Sequence, residues 1–245
     1  MELPDREVHF WACPLEAARA VAARIGQCAC PEADEPERER AARFRRPEDA
    51  DRFLAARAFV KAVLSRYTGT SPDRVTLTPG VNGKPTLADG QQPADVTFNL
   101  SHSRARVAVV VARAMPVGVD IEDMDPRLDV ASLARFALSP REHGQLMALA
   151  AQARIDFFLR AWVRKEAVLK ASGTGLLVEP SRIEVPFPAG TDCAAAVACE
   201  LRGNRVFGVR EVAGTPGHFA AVAAPGMTWA LRNFAAPSAL PAGCR

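Results

Sequence analysis

The sequence predicts an α+β protein built from two similar lobes, and three observations carry this prediction. Residues 37–67 and 154–172 have the apolar spacing of long helices. Several short strand-like segments accompany each of them, separated by turns rich in Pro and Gly. A chain of 245 residues is long enough for one large domain or two small ones. We therefore expect an N-terminal lobe over 1–114, a C-terminal lobe over 117–234, and a cleft between them.

The N-terminal half opens with short apolar pieces and an acidic stretch, and its clearest element is the long helix. Pro47 followed by two acidic residues predicts a helix start within that stretch. Two strands are expected at 96–100 and 106–112, joined by a turn at 101–103. A third strand is expected at 117–122, after a short link.

The C-terminal half contains a clear helix start signal. Ser139, Pro140 and Glu142 are the serine cap, first-turn proline and third-position glutamate of a capping box. The long helix over 154–172 should end at Gly173, because glycine adopts the left-handed conformation that closes helices. The remaining expectations are strands at 205–212 and 218–224 and a loose tail from 235.

Composition and charge exclude several classes of protein. The 31 basic and 28 acidic residues give a net charge of +3, too balanced to indicate a nucleic-acid binder. The apolar runs are far shorter than the ~20 residues of a membrane span. The N-terminus lacks the basic start and apolar core of a signal peptide. We therefore expect a cytoplasmic protein with no membrane contact, whose six cysteines are free thiols.

The sharpest local pattern is VGVDIE at 117–122. Alternate residues of a strand share a face, so Gly118, Asp120 and Glu122 should point the same way. Their neighbouring Cα atoms would lie ~6–7 Å apart, close enough for both carboxylates to reach one cation. Gly118 is expected to leave room for a ligand. The alternative is a solvated strand edge.

A third carboxylate lies on the apolar face of the second long helix. Glu166 is four residues after Trp162 and three before Leu169, two members of that face. A carboxylate there costs several kcal/mol unless it is paired or bound to metal. An ion pair with Lys170 is the alternative, worth only ~0.3–0.5 kcal/mol on an exposed helix surface. Three carboxylates together favour Mg²⁺, which prefers oxygen ligands and substrate phosphates.

A basic cluster marks the first long helical region. It is either a solvated face or, beside a magnesium site, a binding surface for a phosphorylated small molecule, because arginine matches phosphate in bidentate fashion. His102, at a predicted strand end, is interpreted as a phosphate or base contact. Neither a P-loop nor a dinucleotide-binding glycine motif occurs in the sequence. The cluster contains Arg38, Arg40, Arg43, Arg45, Arg46, Arg52 and Arg57, with Lys84 following.

Four stretches in order make the chain resemble the Sfp-type 4'-phosphopantetheinyl transferases. They are GKP at 83–85, FNLSHS at 98–103, VGVDIE at 117–122, and WVRKEAVLK at 162–170 running into GTGL at 173–176. The resemblance extends from about Arg38 to Leu176. It implies a monomer with the pseudo-dimeric fold of that family, in which coenzyme A binds in the cleft between two similar α+β lobes.

The resemblance also implies roles for particular residues. Glu142 matches a family glutamate, although its place in the capping box explains it. Arg38 or Arg40 would join Arg52 and Arg57 at the 3'-phosphate and adenine. The implied metal ligands are Asp120, Glu122 and Glu166; the implied catalytic residues are Glu166, Asp120 and Lys165; the implied coenzyme A contacts are Arg40, Arg52, Arg57, Lys84, Ser101, His102, Lys165 and Lys170.

The implied reaction moves 4'-phosphopantetheine from coenzyme A to a serine of an apo acyl or peptidyl carrier protein, with Mg²⁺, and releases 3',5'-ADP. The carriers would belong to fatty acid, polyketide or nonribosomal peptide synthesis. Glu166 would accept the serine proton, and the carrier would dock on Met124, Phe136, Leu138 and Met147. Two alternatives remain at this point: another Mg²⁺-dependent phosphoryl-transfer enzyme acting on a diphosphate, and a non-catalytic regulator that binds coenzyme A.

Overall fold

The computed structural model divides the chain into two compact units. Met1–Ala114 and the residues from Arg232 onward form the first unit, and Met115–Leu231 form the second. Mixed helices and antiparallel sheets confirm the α+β class. The structure describes residues 1–27, 35–80, 83–91, 93, 95–186, 195–199, 205–212 and 217–236.

The first unit consists of a sheet covered by helices, and a separate small hairpin. Its sheet has the strand order β10-β1-β5-β4, and β2 pairs with β3 in the hairpin. The apolar core lies between the sheet and the helices, with Phe59, Val63 and Val109 fully buried in it. The elements are β1 (Glu7–Pro14), α1 (Leu15–Gln27), α2 (Glu35–Ala41), α3 (Pro47–Thr68), β2 (Leu77–Pro79), β3 (Pro85–Leu87), β4 (Val96–His102), β5 (Arg106–Arg113) and β10 (Ala230–Ala235).

The helix start expected at Pro47 is confirmed, and it divides the helical stretch expected over 37–67 into two helices. Pro47 takes the first turn of α3, where its missing N–H leaves no bond unmade. The helix ends at Gly69, which has a φ of 69° and donates its N–H to the Ser65 carbonyl. The strands expected at 96–100 and 106–112 are confirmed as β4 and β5, each slightly longer than expected.

The second unit places a long helix across a sheet with the strand order β6-β9-β8-β7. The capping box of Ser139 and Glu142 is confirmed, with both of its hydrogen bonds present. The long helix begins at Ala151 and ends at Gly173, whose φ is 71°. Its buried residues lie on most of its circumference. The elements are β6 (Gly118–Asp123), α4 (Val130–Ala137), α5 (Pro140–Ala148), α6 (Ala151–Ser172), β7 (Ala195–Cys199), β8 (Arg205–Glu211) and β9 (His218–Pro225).

The last described strand belongs to the first unit, whereas the sequence led us to place residues up to 234 in the C-terminal lobe. Strand β10 lies beside β1. Phe234 stacks on Trp11 with ring centroids 4.7 Å apart, and Arg232 pairs with Glu7 at 3.3 Å. These contacts join residues that are far apart in the sequence. No local sequence pattern therefore predicts that β10 lies beside β1. The tail expected to be loose lies outside the described residues from 237 onward.

The described part of the chain includes no helix that is both long enough and apolar enough to cross a membrane.

Candidate active site

Strand β6 and helix α6 lie unusually close together, and Gly118 is the reason. A Cβ atom on Gly118 would be 2.1 Å from the Ala167 carbonyl oxygen and 2.5 Å from the Ala171 nitrogen. The space that we expected for a ligand is therefore filled by the backbone of α6. Helix α6 covers the face of β6 that carries Gly118, Asp120 and Glu122. The same helix carries Glu166.

Asp120 is buried on this face and is held by the helix. Its side chain is 6% exposed, and its Oδ1 accepts a hydrogen bond from Lys170 Nζ at 2.6 Å. The same ammonium donates to the Val119 carbonyl at 3.1 Å. The alternative considered for Glu166 was an ion pair with Lys170 within the helix. In the structure, Lys170 of α6 pairs with Asp120 of β6.

Glu122 lies further along β6, where the indole of Trp162 donates to its Oε1 at 3.3 Å. The pKa of Glu122 is raised to about 7, chiefly by burial and next by the nearby Asp120 carboxylate. The Trp162 hydrogen bond and the Lys170 charge oppose this rise. A positive charge beside Glu122 would favour its ionised form.

Glu166 completes the acidic cluster from the helix. Its Oε1 is buried and has no hydrogen-bond partner among the described residues. Burial raises the pKa of Glu166, the Asp120 charge adds to the rise, and Lys170 opposes it. Leaving a buried acceptor unsatisfied costs about 1–3 kcal/mol, and more when it is charged. A cation or a hydrogen-bond donor beside Glu166 Oε1 would supply the contact that the described residues do not give this atom.

The three carboxylates fit a magnesium ion by their chemistry. All of their donor atoms are oxygens, and the buried Glu166 Oε1 has no hydrogen-bond partner among the described residues. Burial, and next the Asp120 charge, raise the pKa values of Glu122 and Glu166. Within the described residues, no three His, Cys, Asp or Glu side chains stand close enough together to hold a metal ion as they are oriented. Two of the carboxylates accept hydrogen bonds from other side chains, Asp120 from Lys170 and Glu122 from Trp162.

Lys165 lies away from this cluster, which differs from the catalytic role and phosphate contact that we expected. Its side chain is 0% exposed, and its Nζ pairs with Glu142 Oε2 at 2.5 Å. It also donates to the carbonyls of Ala137 at 2.8 Å and Pro180 at 3.0 Å. These three contacts link α6 to the segments around α4 and α5. The catalytic role of Lys165 stays a prediction.

An arginine cluster forms in the first unit around the ring of Phe53. The guanidinium carbon of Arg57 lies 5.2 Å from the ring centroid and that of Arg40 lies 5.3 Å from it. Burial lowers the pKa of Arg57; Glu37 opposes this effect and Arg40 adds to it. Arg57 Nη1 is buried without a hydrogen-bond partner among the described residues. An anion would satisfy this donor.

A cavity of about 500 Å³ adjoins Arg40, and its described lining residues are Pro36, Arg40, Arg43 and Phe44. The lining combines guanidinium groups with apolar surface, which suits a ligand that carries both phosphate and a flat ring. Arg40 belongs both to this lining and to the cluster around Phe53.

The remaining residues expected at coenzyme A lie at separate places in the first unit. Arg52 is near the start of α3 and pairs with Asp49 at 3.1 Å. Lys84 lies just before β3, and its carbonyl accepts the Gly80 N–H. Ser101 is buried in β4, while His102 is exposed at the end of that strand.

Sequence reasoning missed two contacts of the predicted residues, that of Glu37 with Arg57 and that of the Trp162 indole with Glu122. Glu37 pairs with Lys61 at 3.1 Å and lies 3.9 Å from Arg57, all three being largely buried. Lysine is rare in this chain, and Lys61 is one of only four, so its retention was a usable signal. Trp162 was interpreted as a core residue, and no sequence pattern indicates that its indole donates to Glu122.

The expected carrier-docking residues are only partly on the surface. Phe136, Met147 and Met124 are 54%, 52% and 37% exposed. Leu138 is 4% exposed and packs in the core of the second unit, so it is unavailable to a partner. Leu138 follows the end of α4 and turns inward there.

The structure is that of an α+β protein with a cluster of acidic residues in its second unit and a cluster of arginines in its first. Comparison with known proteins makes the class specific. Residues 116–220 match the 4'-phosphopantetheinyl transferase superfamily, and residues 27–114 match the 4'-phosphopantetheinyl transferase N-terminal family. The chain belongs to the 4'-phosphopantetheinyl transferases, which confirms the resemblance seen in the sequence motifs.

Individual relatives agree with this assignment. The chain is 34% identical to the 4'-phosphopantetheinyl transferase HetI of Nostoc sp. over 176 residues, covering 72% of this chain and 73% of HetI. It is 34% identical to the 4'-phosphopantetheinyl transferase Sfp of Bacillus subtilis over 140 residues, 57% of this chain and 59% of Sfp. A putative 4'-phosphopantetheinyl transferase of Synechocystis sp. is 34% identical over 56% of this chain and 55% of that relative.

Proposed function

We propose that this enzyme transfers 4'-phosphopantetheine from coenzyme A to a serine of an apo acyl or peptidyl carrier protein, with Mg²⁺, and releases 3',5'-ADP. Two observations support the proposal: the close approach of α6 to β6, which brings the helix carrying Glu166 onto the strand face of Asp120 and Glu122, and the buried Glu166 Oε1, which has no hydrogen-bond partner among the described residues. The family assignment supports it over the two alternatives, a different phosphoryl-transfer enzyme and a silent regulator.

The acidic cluster would hold the magnesium ion through Asp120, Glu122 and Glu166. When bound, the ion would neutralise negative charge on the coenzyme A pyrophosphate. Lys170 lies on the same face as the carboxylates, so its ammonium would stabilise charge on the phosphate that leaves. The chain's contribution is therefore a set of charges fixed in place before the reaction begins.

Glu166 would accept the proton of the attacking serine. Burial raises its pKa, and a carboxylate with a raised pKa is a stronger base than an ordinary one. The unsatisfied Oε1 gives it a free acceptor atom among the described residues. The serine oxygen then forms its bond to the β-phosphorus as the bond from that phosphorus to the bridging oxygen breaks, and 3',5'-ADP leaves with the bridging oxygen.

The arginine cluster of the first unit would hold the other end of coenzyme A. Arg57 offers a buried donor without a partner among the described residues, and Arg40 lies over the same Phe53 ring. Both features favour the 3'-phosphate, which presents several oxygens to a guanidinium group. Arg52, Lys84, Ser101 and His102 are proposed as further contacts on the motifs that match the family. The cleft between two lobes stays a prediction.

The carrier protein would dock on the second unit. Met124, Phe136 and Met147 expose apolar surface there. Carriers of fatty acid, polyketide and nonribosomal peptide synthesis are the proposed partners. A monomer working in the cytoplasm, without nucleic acid or membrane, completes the proposal.

The test is an intact-mass measurement on a panel of purified apo carrier proteins incubated with the enzyme and coenzyme A. We expect at least one carrier to gain the mass of phosphopantetheine with Mg²⁺ present and none to gain it in excess chelator. Asp120→Asn should lower the rate by about 10²–10³-fold, the usual cost of removing one fixed electrostatic group. Full transfer in chelator would refute the magnesium assignment.

Asp123→Asn is the matched control. Asp123 is also an acid of β6, but its Oδ1 is bonded to His218 at 2.7 Å. This variant should retain transfer and remain folded by circular dichroism. If no carrier is modified by the folded wild-type enzyme, the proposed substrate class is wrong.

A further inference from the structure

We propose that Gly118 is a positioning residue that sets the distance between β6 and α6, and through it the geometry of the magnesium site. The inference rests on the proposed function in one respect, namely that Mg²⁺ is the ion held by the acidic cluster. It goes beyond that function because Gly118 itself carries no side chain to contact substrate or metal.

Glycine is needed at position 118 only because there is no room for a Cβ atom. The φ of Gly118 lies outside the left-handed region, so any residue could adopt its backbone conformation. The obstacles to a Cβ are backbone atoms, the Ala167 oxygen at 2.1 Å and the Ala171 nitrogen at 2.5 Å. Backbone atoms inside a helix cannot rotate away as the end of a side chain can. Alanine at this position therefore requires α6 and β6 to separate.

The size of that separation follows from ordinary contact distances. Real Cβ atoms essentially never come within 3.0 Å of another heavy atom, so the Ala167 oxygen must retreat by about 0.9 Å. A magnesium ion requires its ligands at 2.0–2.1 Å in nearly ideal octahedral geometry, and departures beyond about 0.2 Å are not typical of a real site. The required movement exceeds this tolerance several-fold.

The contacts that cross from α6 to β6 would be lost by the same movement. Lys170 Nζ is 2.6 Å from Asp120 Oδ1, and Trp162 Nε1 is 3.3 Å from Glu122 Oε1. The added separation would lengthen the Lys170–Asp120 distance to the limit of a hydrogen bond and the Trp162–Glu122 distance beyond it. Glu166 directly precedes Ala167, so its carboxylate would move away from β6 together with the helix.

Gly208 of β8 provides a matched control in the same sheet. A Cβ there would be 2.5 Å from the Gly226 carbonyl oxygen and 2.8 Å from Trp229 Nε1. The steric conflict is comparable, but the atoms involved belong to residues outside α6 and outside the acidic cluster. Gly208→Ala therefore reports the general cost of crowding this sheet.

The experiment compares Gly118→Ala with Gly208→Ala by two readouts. The first is the indole N–H signals of the three tryptophans in NMR spectra of the metal-free protein. We expect Gly118→Ala to shift the Trp162 signal and leave that of Trp229, and Gly208→Ala to do the reverse. The second readout is calorimetric titration of the full-length protein with Mg²⁺ and with Ca²⁺.

Gly118→Ala should weaken Mg²⁺ binding by about 10–100-fold, the range found when a group that orients a ligand is removed. Ca²⁺ binding should weaken less, because calcium accepts longer bonds and flexible geometry, so the preference for Mg²⁺ over Ca²⁺ should fall. Gly208→Ala should leave both affinities near those of the wild type. A merely structural role would lower stability without changing the ion preference.

Several results would overturn the proposal. They are an unmoved Trp162 signal in folded Gly118→Ala, an unchanged Mg²⁺ affinity, or equal losses in both alanine variants. Both variants are also measured in sucrose, which favours folded states. If Gly118→Ala stays unfolded there while Gly208→Ala folds, Gly118 is structural only. A wild-type protein that binds no Mg²⁺ would instead refute the magnesium assignment of the proposed function, and the Trp162 signal would still test the effect of Gly118 on the helix position.

Discussion

Lys170 and Asp120 join helix α6 to strand β6 through a hydrogen bond of 2.6 Å between Nζ and Oδ1. The two residues are 50 positions apart in the chain, and each belongs to a different motif of the sequence. The ammonium opposes the rise in pKa of both Glu122 and Glu166, whereas the Asp120 carboxylate increases it. This pair therefore sets the electrostatic balance of the acidic cluster. The following predictions test that cluster and the features around it.

Glu166→Gln tests the proton-accepting role. Glutamine keeps the shape and one oxygen that can bind a metal, but it cannot accept a proton at neutral pH. We expect kcat to fall by roughly 10²–10⁴-fold, the usual range for loss of a general base, while coenzyme A still binds with Mg²⁺. Steady-state kinetics and calorimetry measure the two quantities. The exposed Glu179→Gln is the control and should behave as wild type.

A different pattern would assign Glu166 another role. Weaker binding of coenzyme A and Mg²⁺, with kcat partly restored at high Mg²⁺, would make it a metal ligand alone. Normal kcat together with normal metal affinity would exclude both roles.

Phe53→Leu tests the arginine cluster. Removing the ring takes away the cation–π contacts of Arg40 and Arg57, each worth about 0.5–2 kcal/mol. We expect the KM for coenzyme A to rise by about 5–30-fold. The KM for dephospho-coenzyme A should change little, since it lacks the 3'-phosphate. Phe59→Leu, a fully buried phenylalanine later in α3, controls for lost packing. Equal effects on both substrates would contradict the 3'-phosphate assignment.

Lys165→Met tests whether Lys165 is structural or catalytic. The substitution leaves the Glu142 carboxylate buried without the ammonium that balances its charge. We therefore expect a loss of about 3–5 kcal/mol in the free energy of unfolding. The double variant Lys165→Met with Glu142→Gln removes both charges and keeps the capping box, since glutamine also forms it. Its stability should largely return, with kcat per folded molecule near that of wild type. Urea denaturation and active-site titration measure both. A double variant that is stable but more than about 100-fold slower would show that Lys165 acts in catalysis.

The pH dependence of the free energy of unfolding is expected to reflect the protonation of His9. This side chain is 2% exposed, with Nδ1 2.7 Å from the Tyr67 hydroxyl and Nε2 2.8 Å from Glu7 Oε1. Burial lowers the pKa of His9, although Glu7 opposes the effect. Because the unfolded chain then binds the proton more readily, the contribution of His9 is present above about pH 6.5 and is lost as the pH falls below it.

His9→Gln removes this titration. Urea denaturation of both proteins between about pH 5 and pH 8 should show a steeper loss of stability at acid pH for the wild type. Parallel pH profiles would mean that His9 contributes nothing to the acid sensitivity.

Local signals in the sequence were sufficient for much of the fold. The helix start at Pro47, the capping box of Ser139 and Glu142, and the end of α6 at Gly173 are determined by residues within a few positions of each other. Helix caps act over one turn, so no distant part of the chain is needed to specify them. The alternation of β6 likewise placed Asp120 and Glu122 on one face.

The sequence by itself determined the α+β class, the helix start at Pro47, the capping box of Ser139 and Glu142, and the end of α6 at Gly173. Only the tertiary structure decided that Gly118 admits the backbone of α6, that Lys165 binds Glu142 inside the protein, and that β10 returns to β1. The physical reason is the range of the interactions. Propensity and periodicity act between neighbouring residues, whereas close backbone packing, burial of charge and strand pairing depend on atoms brought together from distant parts of the chain.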